Sequence, residues 1–142
     1  MISADPIRKI LIVDDNPVIL KALSLALNAR GYEVYTAMDG SEALGIARME
    51  KLDLILLDIF FPPDVAQGGM TWDAFLIIEW MQRVDVAKDV PIIVISGAEP
   101  RKFKDRCLAA GVVAFFQKPI NMPDLLGAIE EAISPKAEPA LA

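Results

Sequence analysis

The chain has 142 residues, 54% of them hydrophobic, with two Trp, two Tyr and a net charge of −6. That length suits one domain around a single, mainly aliphatic core, and the negative balance argues against nucleic-acid binding, which needs a basic face. With no histidine and one cysteine, Cys107, the chain excludes His-based catalysis, His metal ligation, an internal disulfide and a multi-thiolate metal site.

No apolar run approaches the ~20 residues that span a bilayer. Residues 1–5 carry no signal-peptide pattern. A soluble cytoplasmic protein without a membrane or nucleic-acid partner is expected.

Lys9–Val13 is short, apolar and rich in β-branched residues, the pattern of a strand buried on both faces. It runs into Asp14-Asp15-Asn16-Pro17. Asn16 suits a helix cap and Pro17 a first turn. A helix follows over Pro17–Ala29, with Gly31 as its stop. Residues 32–37 form a second strand, more polar and so placed at an edge. Asp39 and Glu42 have capping-box spacing and open a helix to about Lys51. Leu54–Asp58 is a third apolar strand, again ending in a carboxylate.

A long loop over residues 59–70 follows, with Pro62, Pro63, Gly68 and Gly69, then a helix over 71–83. Residues 90–96 form the fourth strand, ending in Ser96. A helix over 100–110 stops at Gly111. The fifth strand, 112–117, ends at Lys118-Pro119, and the last helix runs over 123–133. The domain spans residues 1–133, and 134–142 read as a flexible tail. Five strands alternating with five helices imply a doubly wound α/β fold with a parallel sheet.

Strand ends then supply Asp14, Asp15, Asp58, Ser96 and Lys118. In open α/β sheets these ends are the ligand-binding edge. An acid there is often only the cap of the next helix. All five groups together, in this order, are hard to explain as caps. Three carboxylates repel one another, and a hard cation such as Mg²⁺ is the usual remedy. A lysine and a hydroxyl opposite them suit the oxygens of a phosphoryl group, and a carboxylate can itself be the nucleophile.

These residues make the chain resemble the receiver domain of two-component response regulators, the chemotaxis-regulator type. The resemblance rests on Asp14-Asp15, Asp58, Pro62, Ser96-Gly97, Phe115 and Lys118-Pro119, and runs over residues 9–133. It implies the flavodoxin-like order 2-1-3-4-5. It also implies that Asp58 accepts a phosphoryl group from a sensor histidine kinase or histidine phosphotransfer protein. Asp15, Asp58 and the backbone carbonyl of Phe60 then bind Mg²⁺, and Asp14 acts through a metal-bound water. Ser96 and Lys118 hold the phosphoryl group, and the Lys118–Pro119 bond is cis. Ser96 and Phe115 form the switch toward the face of helix 4, strand 5 and helix 5, which binds an output protein. Phe60 and Ala98 flank the path of the hydrolytic water and cannot hydrogen-bond it, so a long-lived acyl phosphate is expected. The domain is not an enzyme beyond its own phosphorylation and dephosphorylation.

The loop after Asp58 departs from the family's shorter pattern. Three other readings compete. A haloacid-dehalogenase-type phosphohydrolase needs Asp-x-Asp after the first strand, where this chain has Asp14-Asp15-Asn16. A flavin or nucleotide carrier needs a phosphate loop where Asp14 and Asp15 would repel phosphate. A receiver-fold binding module used without phosphorylation is the third alternative.

Overall fold

Ile10, Leu11, Ile12 and Val13 are each at most 1% exposed, as are Leu54 to Leu57. Strands apolar on both faces are stable only with helices covering both, and that requirement sets the architecture. The computed structural model describes residues 7–58, 64–65, 71–72, 74–83, 88–97 and 100–133. The elements are β1 (Lys9–Val13), α1 (Pro17–Ala29), β2 (Glu33–Ala37), α2 (Gly40–Met49), β3 (Leu54–Asp58), β4 (Asp64–Val65), β5 (Thr71–Trp72), α3 (Ala74–Arg83), β6 (Ile92–Ser96), α4 (Pro100–Ala109), β7 (Ala114–Gln117) and α5 (Met122–Ile133).

The main sheet is five-stranded, in the order β2-β1-β3-β6-β7, and all its pairings are parallel. With the short β4–β5 pair set aside, this is the expected 2-1-3-4-5 order. Two cores flank it. Leu11, Val13, Ile55, Leu57 and Val94 pack with α2, α3 and α4 through Leu44, Ile77, Ile78, Met81 and Cys107. Ile10, Ile12, Leu54, Leu56, Ile93 and Ile95 pack with α1 and α5 through Leu20, Leu23, Leu27, Leu125 and Ile129. Alternate residues of one strand therefore feed opposite layers, as period-two geometry dictates. Truncating a fully buried Leu56 to Ala would cost about 2–5 kcal/mol.

Local chemistry fixes the helix ends. Asn16 Oδ1 accepts from the Val18 amide at 2.9 Å, with Pro17 at the first helical position. Asp39 Oδ1 accepts from Glu42 N at 2.8 Å, and Glu42 reaches back to the Met38 amide at 3.1 Å. At the end of α1, Tyr32 N bonds Leu27 O and Gly31 N bonds Asn28 O, with Gly31 at φ +91°. That pairing places a left-handed residue where only glycine sits without strain.

The structure adds two short strands and moves several boundaries. In the expected loop, β4 pairs antiparallel with β5 at the expected helix start, Asp64 with Trp72 and Val65 with Thr71. Thr71 and Trp72 are thus extended, and α3 begins at Ala74 rather than 71. The fourth strand of the main sheet starts at Ile92, after Pro91, which has no amide to give a ladder. The last strand starts at Ala114 because Val112 N closes α4 on Cys107 O. The remaining loop residues, segment 84–87 and the tail 134–142 lie outside the described residues.

Candidate functional site

β1 leaves the sheet at Asp14, whose amide still bonds Ala37 O of β2 at 3.0 Å. Its side chain folds back to accept from the Asn16 amide at 2.9 Å. The sheet therefore fixes the Asp14 backbone, and the Asn16 amide fixes its carboxylate. Asp58 closes β3 and pairs in register with Ile95 of β6. Ser96 follows on β6, and its carbonyl accepts from Lys118 N at 2.8 Å, tying β6 to the end of β7. The Lys118–Pro119 peptide is cis, as expected.

This arrangement brings Asp14, Asp15 and Asp58 together, with carboxylate oxygens all within 4.8 Å of one another. Asp14 and Asp58 are buried and Asp15 is exposed, so the cluster opens to solvent on one side. Lys118 Nζ stands 3.2 Å from Asp58 Oδ2 and 3.6 Å from Asp14 Oδ2, its side chain a quarter exposed. Burial pushes the Asp14 carboxyl above its ordinary pKa. The Asn16 amide opposes that shift, the charge of Asp58 adds to it, Lys118 opposes it again, and Asp15 adds further. Among the described residues, three carboxylates facing one ammonium leave an excess of anionic oxygen. An all-oxygen, negatively charged donor set is what a hard divalent cation such as Mg²⁺ takes, so the residues fit the expected metal.

Ser96 is fully buried at the end of β6. Phe115 stands on β7 opposite Val94, half-buried against the α2–α3–α4 core. Phe60, whose carbonyl was expected to bind the metal, and Ala98 lie outside the described residues. Sequence reasoning missed the Asn16 amide that fixes Asp14. The signal was available: Asp followed two residues later by a cap residue is an Asx-turn pattern. It also missed that Lys118 faces Asp14 as well as Asp58, a contact that depends on the sheet order.

Among the described residues, no helix is long and apolar enough to cross a membrane. Residues 10–130 match the family model of the response regulator receiver domain. The transcriptional regulatory protein PdtaR of Mycobacterium tuberculosis is 31% identical over 128 residues, which cover 89% of this chain and 57% of PdtaR. The chain thus spans a little over half the length of that relative. A CheY-like response regulator receiver domain protein from Methanospirillum hungatei superposes with a TM-score of 0.78 at 30% identity, over 90% of this chain and 94% of that one. The receiver domain of the sensor histidine kinase PA1611 from Pseudomonas aeruginosa, solved with magnesium in its active site cleft, has a TM-score of 0.77 at 25% identity. It covers 92% of this chain and all of its own. With the parallel sheet covered by helices on both faces and the acidic cluster at its edge, these matches establish that the chain belongs to the response regulator receiver domains of two-component signalling.

Proposed function

We propose that the chain accepts a phosphoryl group on Asp58 and uses it to switch partner binding. The observation that carries this reading is the buried Asp58 carboxylate, set in a cluster of three acids with the Lys118 ammonium 3.2 Å from its Oδ2. A buried carboxylate needs a cation to remain an anionic nucleophile, and Lys118 provides one beside it.

An Asp58 oxygen attacks the phosphorus of a phosphohistidine on a sensor kinase or phosphotransfer protein. The new P–O bond forms as the P–N bond breaks. The electron pair returns to the imidazole nitrogen, which takes a proton from solvent water as neutral histidine leaves. Such transfers depend on positioning and charge neutralisation. Asp14, Asp15 and Asp58, with the Phe60 carbonyl, would hold Mg²⁺. Bound Mg²⁺ supplies positive charge for the transferring phosphoryl oxygens. Lys118 pairs with the oxygen left behind on Asp58, and Ser96 hydrogen-bonds the phosphoryl group. Hydrolysis of the acyl phosphate returns Asp58 to a carboxylate with release of phosphate, and the chain turns over no other substrate.

Drawing Ser96 toward the phosphoryl group leaves room for Phe115 to turn inward, and that biases the face of α4, β7 and α5. A two-state element biased by a ligand is what such coupling requires. The same reading has the chain act in the cytoplasm, with its kinase and output partner. The test is ¹⁹F NMR with beryllofluoride and Mg²⁺. Wild type should show bound resonances and Asp58→Asn none; wild type without bound resonances contradicts the proposal.

A further inference from the structure

Helix α4 begins at Pro100, four residues past Ser96, and ends at Ala109. Its far end is closed in three ways. Cys107 and Val112, on either side of the closing turn, are 0% and 4% exposed. Val112 N bonds Cys107 O and Gly111 N bonds Leu108 O, both at 3.1 Å, with Gly111 at φ +99°. The third closure comes from another element. Nε2 of Gln82, on α3, donates to Ala110 O.

Gln82 is exposed and 28 residues away in sequence, so burial alone does not demand this bond. A donor at a helix C-terminus satisfies an otherwise unpaired carbonyl and sets a partial positive charge at the negative pole. The turn is shaped to receive it. A Cβ at position 111 would stand 2.9 Å from Gln82 Nε2. The left-handed φ favours glycine there, and a Cβ would also push the end of the Gln82 side chain aside. The α3 that carries Gln82 is itself fixed, with Ile77, Ile78 and Met81 at most 1% exposed.

We propose that Gln82 is a latch that anchors the C-terminal end of α4, so that a change at Ser96 moves α4 as a pivot about the turn at residues 107–112. The inference rests on Asp58 being the phosphoacceptor, since the drive arrives through Ser96. Held at one end by a rigid neighbour, α4 converts a displacement at its N-terminal end into rotation. A partner that reads α4 then senses the phosphoryl state in the half nearer Pro100, while the surface around Leu108 stays in place. Gln82 acts here as a positioning residue.

Hydrogen-exchange mass spectrometry tests this in wild type, in Gln82→Glu, which keeps the shape but cannot donate, and in Gln82→Lys, which can donate. Each protein is measured metal-free and with Mg²⁺ plus beryllofluoride. In the metal-free proteins, amides 110–112 should exchange roughly five- to tenfold faster in Gln82→Glu than in wild type, and near the wild-type rate in Gln82→Lys. In wild type, beryllofluoride should change exchange over 100–105 and leave 110–112 unaltered. In Gln82→Glu the change should spread to 110–112. Wild-type rates at 110–112 in metal-free Gln82→Glu overturn the latch. A beryllofluoride response in wild type as large at 110–112 as at 100–105 overturns the pivot. Failure of the phosphoacceptor reading looks different: beryllofluoride then alters exchange nowhere in wild type, which removes the pivot, and the metal-free rates decide the latch.

Discussion

The ammonium of Lys118 lies 3.2 Å from the carboxylate of Asp58, across 60 residues of sequence. It also lies 3.6 Å from Asp14. One partly exposed cation thus faces two buried anions, and Asp15 adds a third carboxylate at the rim. Among the described residues, the site carries more negative charge than Lys118 neutralises.

Removing that cation should therefore cost stability. Lys118→Met removes the cation shared by Asp14 and Asp58 and leaves the two buried carboxylates facing each other. Without metal, the variant should be less stable than wild type by about 1–3 kcal/mol, less than a fully buried pair because Lys118 is partly solvated. Urea unfolding in EDTA measures this, and added Mg²⁺ should narrow the gap. Equal midpoints in EDTA contradict the assignment.

Asp15→Asn should weaken Mg²⁺ binding by roughly tenfold or more, since a neutral amide oxygen compensates less for stripping water from a small, hard ion. Asp15 is exposed, so its replacement should leave the fold intact. Calorimetric titration gives the comparison; equal affinities remove Asp15 from the site.

Away from the site, Lys9 Nζ donates to Glu50 at 3.0 Å, and Tyr35 OH donates to the same carboxylate at 3.1 Å. The Lys9 bond first, then the Tyr35 bond, hold the Glu50 carboxyl below its ordinary 4.5. Stability from this group is complete above that ordinary value and is lost as pH falls through the lowered one. The bond to Glu50 likewise raises Lys9 above its ordinary 10.5. Its contribution is complete below 10.5 and lost as pH rises through the raised value. Glu50→Gln should flatten both limbs of the stability–pH curve. Unchanged slopes at both ends would show that the cluster does not link β1 to the end of α2 in solution.

Much of this was legible because the sheet is buried on both faces. The runs ending at Val13, Asp58 and Ser96 are continuous and apolar, and their carboxylates and hydroxyl could go nowhere but the strand mouths. The β4–β5 pair was not legible. Two-residue strands are too short for any periodicity, and Thr71-Trp72 read as well as the start of a helix as an extended pair. Val112 looked like strand because it is apolar and β-branched, yet its amide closes α4. The second contact of Lys118, with Asp14, and the reach of Gln82 to Ala110 are tertiary: they follow from which elements lie side by side, and no local pattern encodes them.

Phe115 tests the link from site to surface. Phe115→Ala should take up phosphate from acetyl phosphate as wild type does, because the ring packs against the α2–α3–α4 core and is none of the groups assigned to the metal or the phosphoryl oxygens. It should lose about 1–3 kcal/mol of stability, as a half-buried ring removed from a core. The beryllofluoride-induced change over α4, β7 and α5, followed by amide NMR, should be lost. If that change persists, Phe115 is packing alone.

The central claim is that Asp58 carries the phosphoryl group, and intact-mass spectrometry after acetyl phosphate and Mg²⁺ tests it most directly. Wild type should gain one phosphoryl group per chain, EDTA should prevent the gain, and Asp58→Asn should show none while melting no lower than wild type without metal, because one charge has left a repelling cluster. A wild type that gains nothing, or an Asp58→Asn protein that gains the same mass, would contradict the account.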